Sequence, residues 1–261
     1  VRVEELMGPN VNPHGFDPTP RDLARIQSAS LVVAMGKNLE VYLDRLAASL
    51  PHGTPIFEAG ARVTSLQIHE DHISVACCSA HTTGAIDPHW WHNAANMRTA
   101  VRHLGRHFEE MLPDQQTTIR ANTRTLMQEM DELDEWVRSR VALVPANQRI
   151  LVTGHAAFNY FCAAYGFQPK PILGLTAQRE PTPQELATLI QTIRDSGIRA
   201  VFPEAHLNPQ TLETVAQETG VNIGTVLLAD NFGANRLTYA EMMRHNANAI
   251  VNALMPPSPD S

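Results

Sequence analysis

Short apolar runs rich in β-branched residues alternate along this chain with stretches of helical periodicity. The runs are VRVEELM, LVVAMG, RILVTG, IRAVFPE and NIGTVLLAD, and each has an amphipathic stretch before or after it. Such alternation predicts an α/β protein whose parallel sheets are covered by helices. One sub-pattern occurs twice. DPTPRDLARIQSASLVVAMG, from Asp17 to Gly36, reads like EPTPQELATLIQTIRDSGIRAVFPE, from Glu180 to Glu204: an acid, Pro-Thr-Pro, a helix, then a strand. In both copies Thr is a natural N-cap, Pro takes the first helical position, and Asp22 or Glu185 stands three residues after the Thr, as a capping box requires. Two unrelated helix starts would give the same letters, but their matching places in two α/β segments favour two similar lobes.

Between these segments lies the most helical part of the chain, from about Asn93 to Val141, interrupted by Pro113. Beyond that proline Ile119, Thr123, Leu126, Met130, Leu133, Val137 and Val141 recur at spacings of four and three, one continuous and mostly apolar stripe. Roughly 28 residues at about 1.5 Å each span roughly 42 Å, enough for one stiff helix to join two lobes. The pattern therefore predicts an N-terminal lobe over residues 1–113, a connecting helix over 114–141 and a C-terminal lobe over 142–261, with little domain closure. NRLTYAEMMRHNANAIVNAL reads as a final amphipathic helix before a proline-rich tail. If VRVEELM is a first strand, the N-terminal lobe has fewer strands than the other, which suggests that a strand and helix normally precede Val1.

Composition narrows the function classes. With 261 residues, 43% of them hydrophobic, the chain is long enough to bury a sizeable core. The formal charge of −7, with no dense Lys/Arg run, argues against nucleic acid and anionic membrane surfaces as partners. No apolar run reaches membrane-spanning length. Cys77, Cys78 and Cys162 are too few for a disulfide scaffold and allow at most one bridge, from Cys162 to one of the adjacent pair. Twelve histidines are the oddity.

Two of the three tryptophans fall in IDPHWWHNA, residues 86–94, where an Asp-Pro turn holds His89 at the mouth of a helix. That is a good place for a ligand and equally for a capping or packed residue. In open parallel sheets ligands bind beyond the carboxyl ends of strands, and three more polar residues follow apolar runs there: His14, His155 and Asp230. Three imidazoles and a carboxylate make a tetrahedral set suited to Zn²⁺. Each member has a plainer alternative. His14 after Asn-Pro reads as a solvated turn residue, His155 as a helix-start donor, Asp230 as the cap of a turn with Asn231 and Gly233, and His89 as a packed neighbour of the tryptophans. Their joint placement at strand and helix ends in both halves favours convergence on a cleft between lobes.

The stretches GPNVNPHGFDPTPRD, DPHWW, TGHAAFNYFCAAYG, GLTAQREPTPQEL, AVFPEAHL, LLADNFG and YAEMMRHNANAI, spread over nearly the whole chain, resemble the zinc- and manganese-binding solute-binding proteins of ABC transporters known as cluster A-I. Within that group they look like the AztC-type zinc binders. The resemblance implies a periplasmic protein or cell-surface lipoprotein that captures a metal between two lobes and docks on an ABC permease as a monomer. A periplasmic zinc metallochaperone is a further possible partner. Carried over residue by residue, the ligands are His14, His89, His155 and Asp230. His92 stands where relatives usually carry an apolar residue and is read as a surface residue, with a role in orienting ligands as the lesser alternative. Relatives that bind manganese typically carry Glu as third ligand; His155 here favours Zn²⁺. Glu204 is a weak candidate for orienting an imidazole, against ordinary surface exposure. His69, Asp71, His72 and His81 lie where zinc-binding relatives carry a His-rich loop that could pass metal inward, although a polar loop would look the same. Manganese binding, a zinc-dependent hydrolase and a surface adhesin remain as alternatives; four protein ligands and the absence of HExxH or GxSxG speak against the hydrolase.

Overall fold

The computed structural model describes residues 1–8, 11–50, 54–68, 85–175, 181–205 and 207–255. Near the N-terminus α1 (Pro20–Ile26) leads to β1 (Val32–Ala34), α2 (Leu43–Ser49) and β2 (Ile56–Glu58), and the two strands pair in parallel. Later in the chain β3 (Ile150–Thr153), β4 (Gln168–Pro171), β5 (Ala200–Phe202) and β6 (Asn222–Ile223) form a parallel sheet in the order β4-β3-β5-β6. Its strands are joined by α5 (Asn159–Tyr165), α6 (Pro183–Ser196) and α7 (Gln210–Thr219), and α8 (Tyr239–Leu254) closes the described chain. Both echoed helix starts are capping boxes, Thr19 with Asp22 and Thr182 with Glu185, and α8 repeats the device with Thr238 and Glu241.

Successive side chains of a strand point to opposite faces, and the larger sheet uses both. Val152 of β3 and Val201 of β5 pack against Leu189 and Ile193 of α6 and Leu212 and Val215 of α7. Leu151, Ala200 and Phe202 face the other way, into the main core with Met242, Met243 and Ile250 of α8. Leu39, Val63, Trp90 and Trp91 from the first part of the chain belong to that same core. A smaller cluster of Ile26, Tyr42 and Leu46 holds the N-terminal helices together.

The helical middle is a hairpin of α3 (Ala94–Met111) and α4 (Gln116–Val141), joined by a 3₁₀ turn at Pro113–Gln115. Arg98 pairs with Asp131 and Arg120 with Glu109, so the helices run antiparallel. They approach closely at Gly105, where a Cβ would stand 2.3 Å from the Thr123 hydroxyl oxygen. In the second half of α4 the stripe Met130, Leu133, Val137 and Val141 is buried in the main core, while Leu126 is 41% exposed. The long helix is thus supported along its length by α3 and anchored at its end in the core.

One strand expectation fails, and one strand was not foreseen. VRVEELM is not a strand: Val1 and Val3 are 95% and 83% exposed, and no strand among the described residues pairs with them. Polar contacts hold the segment instead, with Arg25 reaching Glu4 and the Glu5 carbonyl, and Arg236 reaching the Glu5 carboxylate. Conversely β4, sequence QPKP, carries no β-propensity signal. It lies at the sheet edge, where proline's missing donor costs least.

Candidate metal centre

Each prospective ligand is placed by local geometry that its own stretch dictates. His14 sits on a 3₁₀ turn, Pro13–Gly15, where its N–H donates to the Asn12 side chain at 2.9 Å. His89 follows the Asp87-Pro88 turn and precedes a 3₁₀ turn, Trp90–His92, before Asn93 caps α3. His155 lies just past β3 and Gly154. Asp230 ends the segment after β6; Leu227 of that segment bridges to Glu204, beyond the end of β5. The turn cap foreseen for Asp230 is provided by Asn231, which accepts from the Gly233 N–H at 2.9 Å. Asp230 is left to face inward.

All four converge. The Nε2 atoms of His14 and His89 stand 3.1 Å apart, and Asp230 Oδ2 lies 3.6 Å from His14 Nε2 and 3.3 Å from His155 Nε2. Asp230 Oδ1 is 3.4 Å from His89 Nε2. Within the whole set the donor atoms lie within 4.8 Å of one another. A tetrahedron with bonds of about 2.0–2.1 Å has edges of about 3.3–3.4 Å, and the four separations of 3.1–3.6 Å lie near that value, as a site for one small divalent ion needs. The side chains of His89, His155 and Asp230 are fully buried and that of His14 is 3% exposed.

Two of the imidazoles are backed by carboxylates. Asp87 Oδ1 lies 2.8 Å from His89 Nδ1 and accepts the His89 N–H at 2.8 Å. Glu204 Oε2 lies 2.5 Å from His155 Nδ1, while its Oε1 accepts the His155 N–H at 2.9 Å. A carboxylate that takes the Nδ1 proton leaves the Nε2 lone pair turned inward and makes it a stronger donor to a metal. Burial pushes the pKa of both imidazoles down, and the Asp87, Glu204 and Asp230 carboxylates more than reverse it, so both end above the ordinary value, His155 well above. A divalent cation here competes with protons.

Glu204 is therefore a buried orienting group and not a surface residue. Asp87, read from sequence only as half of a turn, does the same work for His89; the signal available was a carboxylate two places before a candidate ligand. Asn159 was not singled out at all. From α5 it donates to the second Asp87 oxygen, at 3.0 Å. His92 needs a correction too. It is fully buried, stacked on Phe158 with ring centroids 4.4 Å apart, and its Nε2 reaches the Ala229 carbonyl at 3.0 Å. Burial holds its pKa down to about 3. Periodicity could not reveal this, because the ring fills a gap between segments far apart in sequence. His69, His72, His81 and the Cys77 and Cys78 partners proposed for Cys162 lie outside the described residues; the Cys162 thiol is buried.

The sequence matches the family described as "Zinc-uptake complex component A periplasmic" over residues 1–253. The chain belongs to this family. Iron-binding protein YfeA of Yersinia pestis is 30% identical over 251 residues, covering 95% of this chain and 78% of that protein. Manganese-binding lipoprotein MntA of Bacillus subtilis is 29% identical over 262 residues, 97% and 83% of the two chains. Among solved structures, the periplasmic zinc binding protein TroA of Treponema pallidum superposes with a TM-score of 0.84 at 26% identity, covering 98% of this chain and 92% of its own. Family membership makes the chain a metal-binding component of an ABC uptake system, not an enzyme, and sets the hydrolase alternative aside. The narrower likeness to AztC-type proteins is not addressed by these three relatives.

Proposed function

We propose that this chain is a periplasmic or cell-surface solute-binding protein that captures Zn²⁺ with His14, His89, His155 and Asp230 and delivers it to an ABC permease for import. The observation that carries the reading is the buried set of three imidazoles and one carboxylate whose donor atoms lie within 4.8 Å of one another, two of the imidazoles backed by carboxylates. Imidazole suits zinc better than the harder manganese ion, and zinc also precedes manganese and iron in intrinsic affinity. The cargo would lie between lobes at residues 1–113 and 142–261, joined by a helix within 114–141. The protein would act as a monomer, with a periplasmic zinc chaperone as a loading partner.

A second reading, manganese or iron as cargo, is favoured by one feature besides the names of YfeA and MntA. Both Asp230 oxygens turn toward imidazoles, so the carboxylate can grip with two oxygens and raise the coordination number. Metal analysis of protein purified without chelator, followed by competition titrations with zinc and manganese, tests the two. Tight manganese binding with negligible zinc binding would overturn the zinc assignment. Loss of zinc uptake on deleting the cognate permease would separate a transport role from an adhesin.

A further inference from the structure

Asp230 is the one charged ligand of the site, and the chain leading to it is pinned group by group. Leu227 donates to the Pro203 carbonyl at 2.7 Å and accepts from the Ala205 N–H at 3.1 Å. At Leu228 the Asn246 side chain from α8 takes the N–H at 2.9 Å and donates to the carbonyl at 2.8 Å. The next carbonyl, Ala229, receives two donors, Trp91 Nε1 and His92 Nε2, each at 3.0 Å. A carbonyl oxygen has two lone pairs, so this pair saturates it. The Ala229 carbonyl shares its peptide plane with the Asp230 nitrogen. Fixing that plane fixes the Asp230 nitrogen and Cα, the point from which its side chain departs.

Why histidine at position 92? Stacking on Phe158 needs only a ring, and an apolar ring would fill the place without leaving a polar atom dry. Yet His92 Nδ1 is buried with no hydrogen-bond partner among the described residues, an arrangement that costs free energy. What the imidazole adds over an apolar ring is the Nε2–H on Ala229. His92 also stands three residues after His89, so the same short stretch that presents one ligand holds the peptide of another from the distant end of the chain.

We propose that His92 is a positioning residue for Asp230, forming with Trp91 a two-donor clamp on the Ala229 carbonyl that sets the carboxylate at its distance from the three imidazoles. The proposal rests on the metal-site reading above. It requires no contact between His92 and the ion, and the effect is transmitted through one peptide plane. Loss of one of the two donors lets that plane tilt, and the 3.3–3.6 Å separations from Asp230 to the imidazoles change with it.

The test is a double-mutant cycle read by competition titration against a metal chelator, using whichever of zinc and manganese the unmodified protein holds tightly. His92→Phe keeps the ring and the stack but removes the donor, and metal affinity is expected to fall about 10-fold, the low end for partners of this kind because Trp91 remains. His92→Gln restores a donor at similar reach and should recover affinity to within about threefold. In an Asp230→Ala background His92→Phe should have almost no further effect, because the two act through one contact. Equal affinity of His92→Phe and the unmodified protein, failure of Gln to rescue, or an undiminished loss without Asp230 would each overturn the clamp. A protein that holds neither metal would instead sink the metal-site reading, and the clamp with it.

Discussion

Replacing Glu204 with glutamine changes almost no volume but cannot satisfy what the carboxylate satisfies now. Glu204 takes two protons in the dry interior, the His155 N–H on Oε1 at 2.9 Å and the His155 Nδ1 proton on Oε2 at 2.5 Å. Glutamine has one acceptor oxygen and one NH₂ group. If its oxygen keeps the backbone N–H, the amide nitrogen faces Nδ1 and forces the ring proton onto Nε2, the atom that must donate to the cation. Turned over, the oxygen keeps the Nδ1 proton, but the amide nitrogen meets the backbone N–H donor to donor. With the cation on Nε2 the ring proton must sit on Nδ1, so either choice sets two buried donors against each other, at about 1–3 kcal/mol, and the substitution also removes a negative charge beside the cation.

Metal affinity of Glu204→Gln should therefore fall about 10- to 100-fold, equivalent to about 1.4–2.7 kcal/mol. Competition titration at constant pH and salt measures it. Glu129→Gln, an exposed change on α4 with the same loss of charge, is the control and should leave affinity within about twofold, since exposed charges are screened. Unchanged affinity in Glu204→Gln, or an equal fall in both variants, would refute the argument that Glu204 acts through the tautomer of His155.

Three further outcomes follow from the same geometry. Because the His89 and His155 pKa values are raised, the metal-free protein gains stability from their protonation below the ordinary imidazole value of about 6.5 and loses it as pH rises through the shifted values, whereas metal affinity changes in the opposite sense. Calorimetry in buffers of different ionisation heat should show proton release on zinc binding that shrinks as pH increases; release independent of pH would contradict the shifts. Gly154→Ala would place a Cβ 2.6 Å from Leu207 Cδ1 and 3.1 Å from Glu204 Oε1, so denaturation should show a loss of about 1–3 kcal/mol together with weaker metal binding, and a variant equal to the parent in both would show that the contact yields freely. Small-angle scattering should find nearly equal dimensions for metal-free and zinc-loaded protein, because Trp90 and Trp91 share one core with Phe158, Met243 and Ile250; a large contraction on loading would show that this core divides.

The meeting of His155 and Asp230 was legible in part from chain direction: parallel strands end at a common edge, His155 stands just past β3, and Asp230 ends the apolar run that continues from β6. The helix starts were legible for a similar reason, since Thr19, Thr182 and Thr238 satisfy donors only three residues away. Groups that orient the ligands depend on distant pairing and were read weakly or not at all. Glu204 meets His155 across 49 residues, and Asn159 meets Asp87 across 72. His92 was misplaced because a histidine beside a turn carries no sign of whether a ring from elsewhere covers it. VRVEELM alternates like a strand, but alternation shows only that a strand would be amphipathic, not that a partner edge exists.

The stretch from Asp87 to His92 also limits how the cargo can be exchanged. It meets the later part of the chain at several buried or half-buried points: Asp87 with Asn159, Trp91 and His92 with the Ala229 carbonyl, and the Trp91 carbonyl with the Tyr239 hydroxyl at 2.7 Å. Swinging the lobes apart about α4 would break these together, and each polar group left dry costs about 1–3 kcal/mol. Water entering the seam would offset part of that cost but would also separate Trp90 and Trp91 from the core they share with Phe158. A hinge on this side is therefore expensive, and release by smaller movements would cost less. His14 lies on a different support, a three-residue turn held by the Asn12 side chain and followed by Phe16, which packs on the smaller N-terminal cluster. On the proposed ligand set, movement of that turn would remove one imidazole while leaving His89, His155 and Asp230 in their frame, so the cation would be surrendered by losing one ligand without separating the lobes.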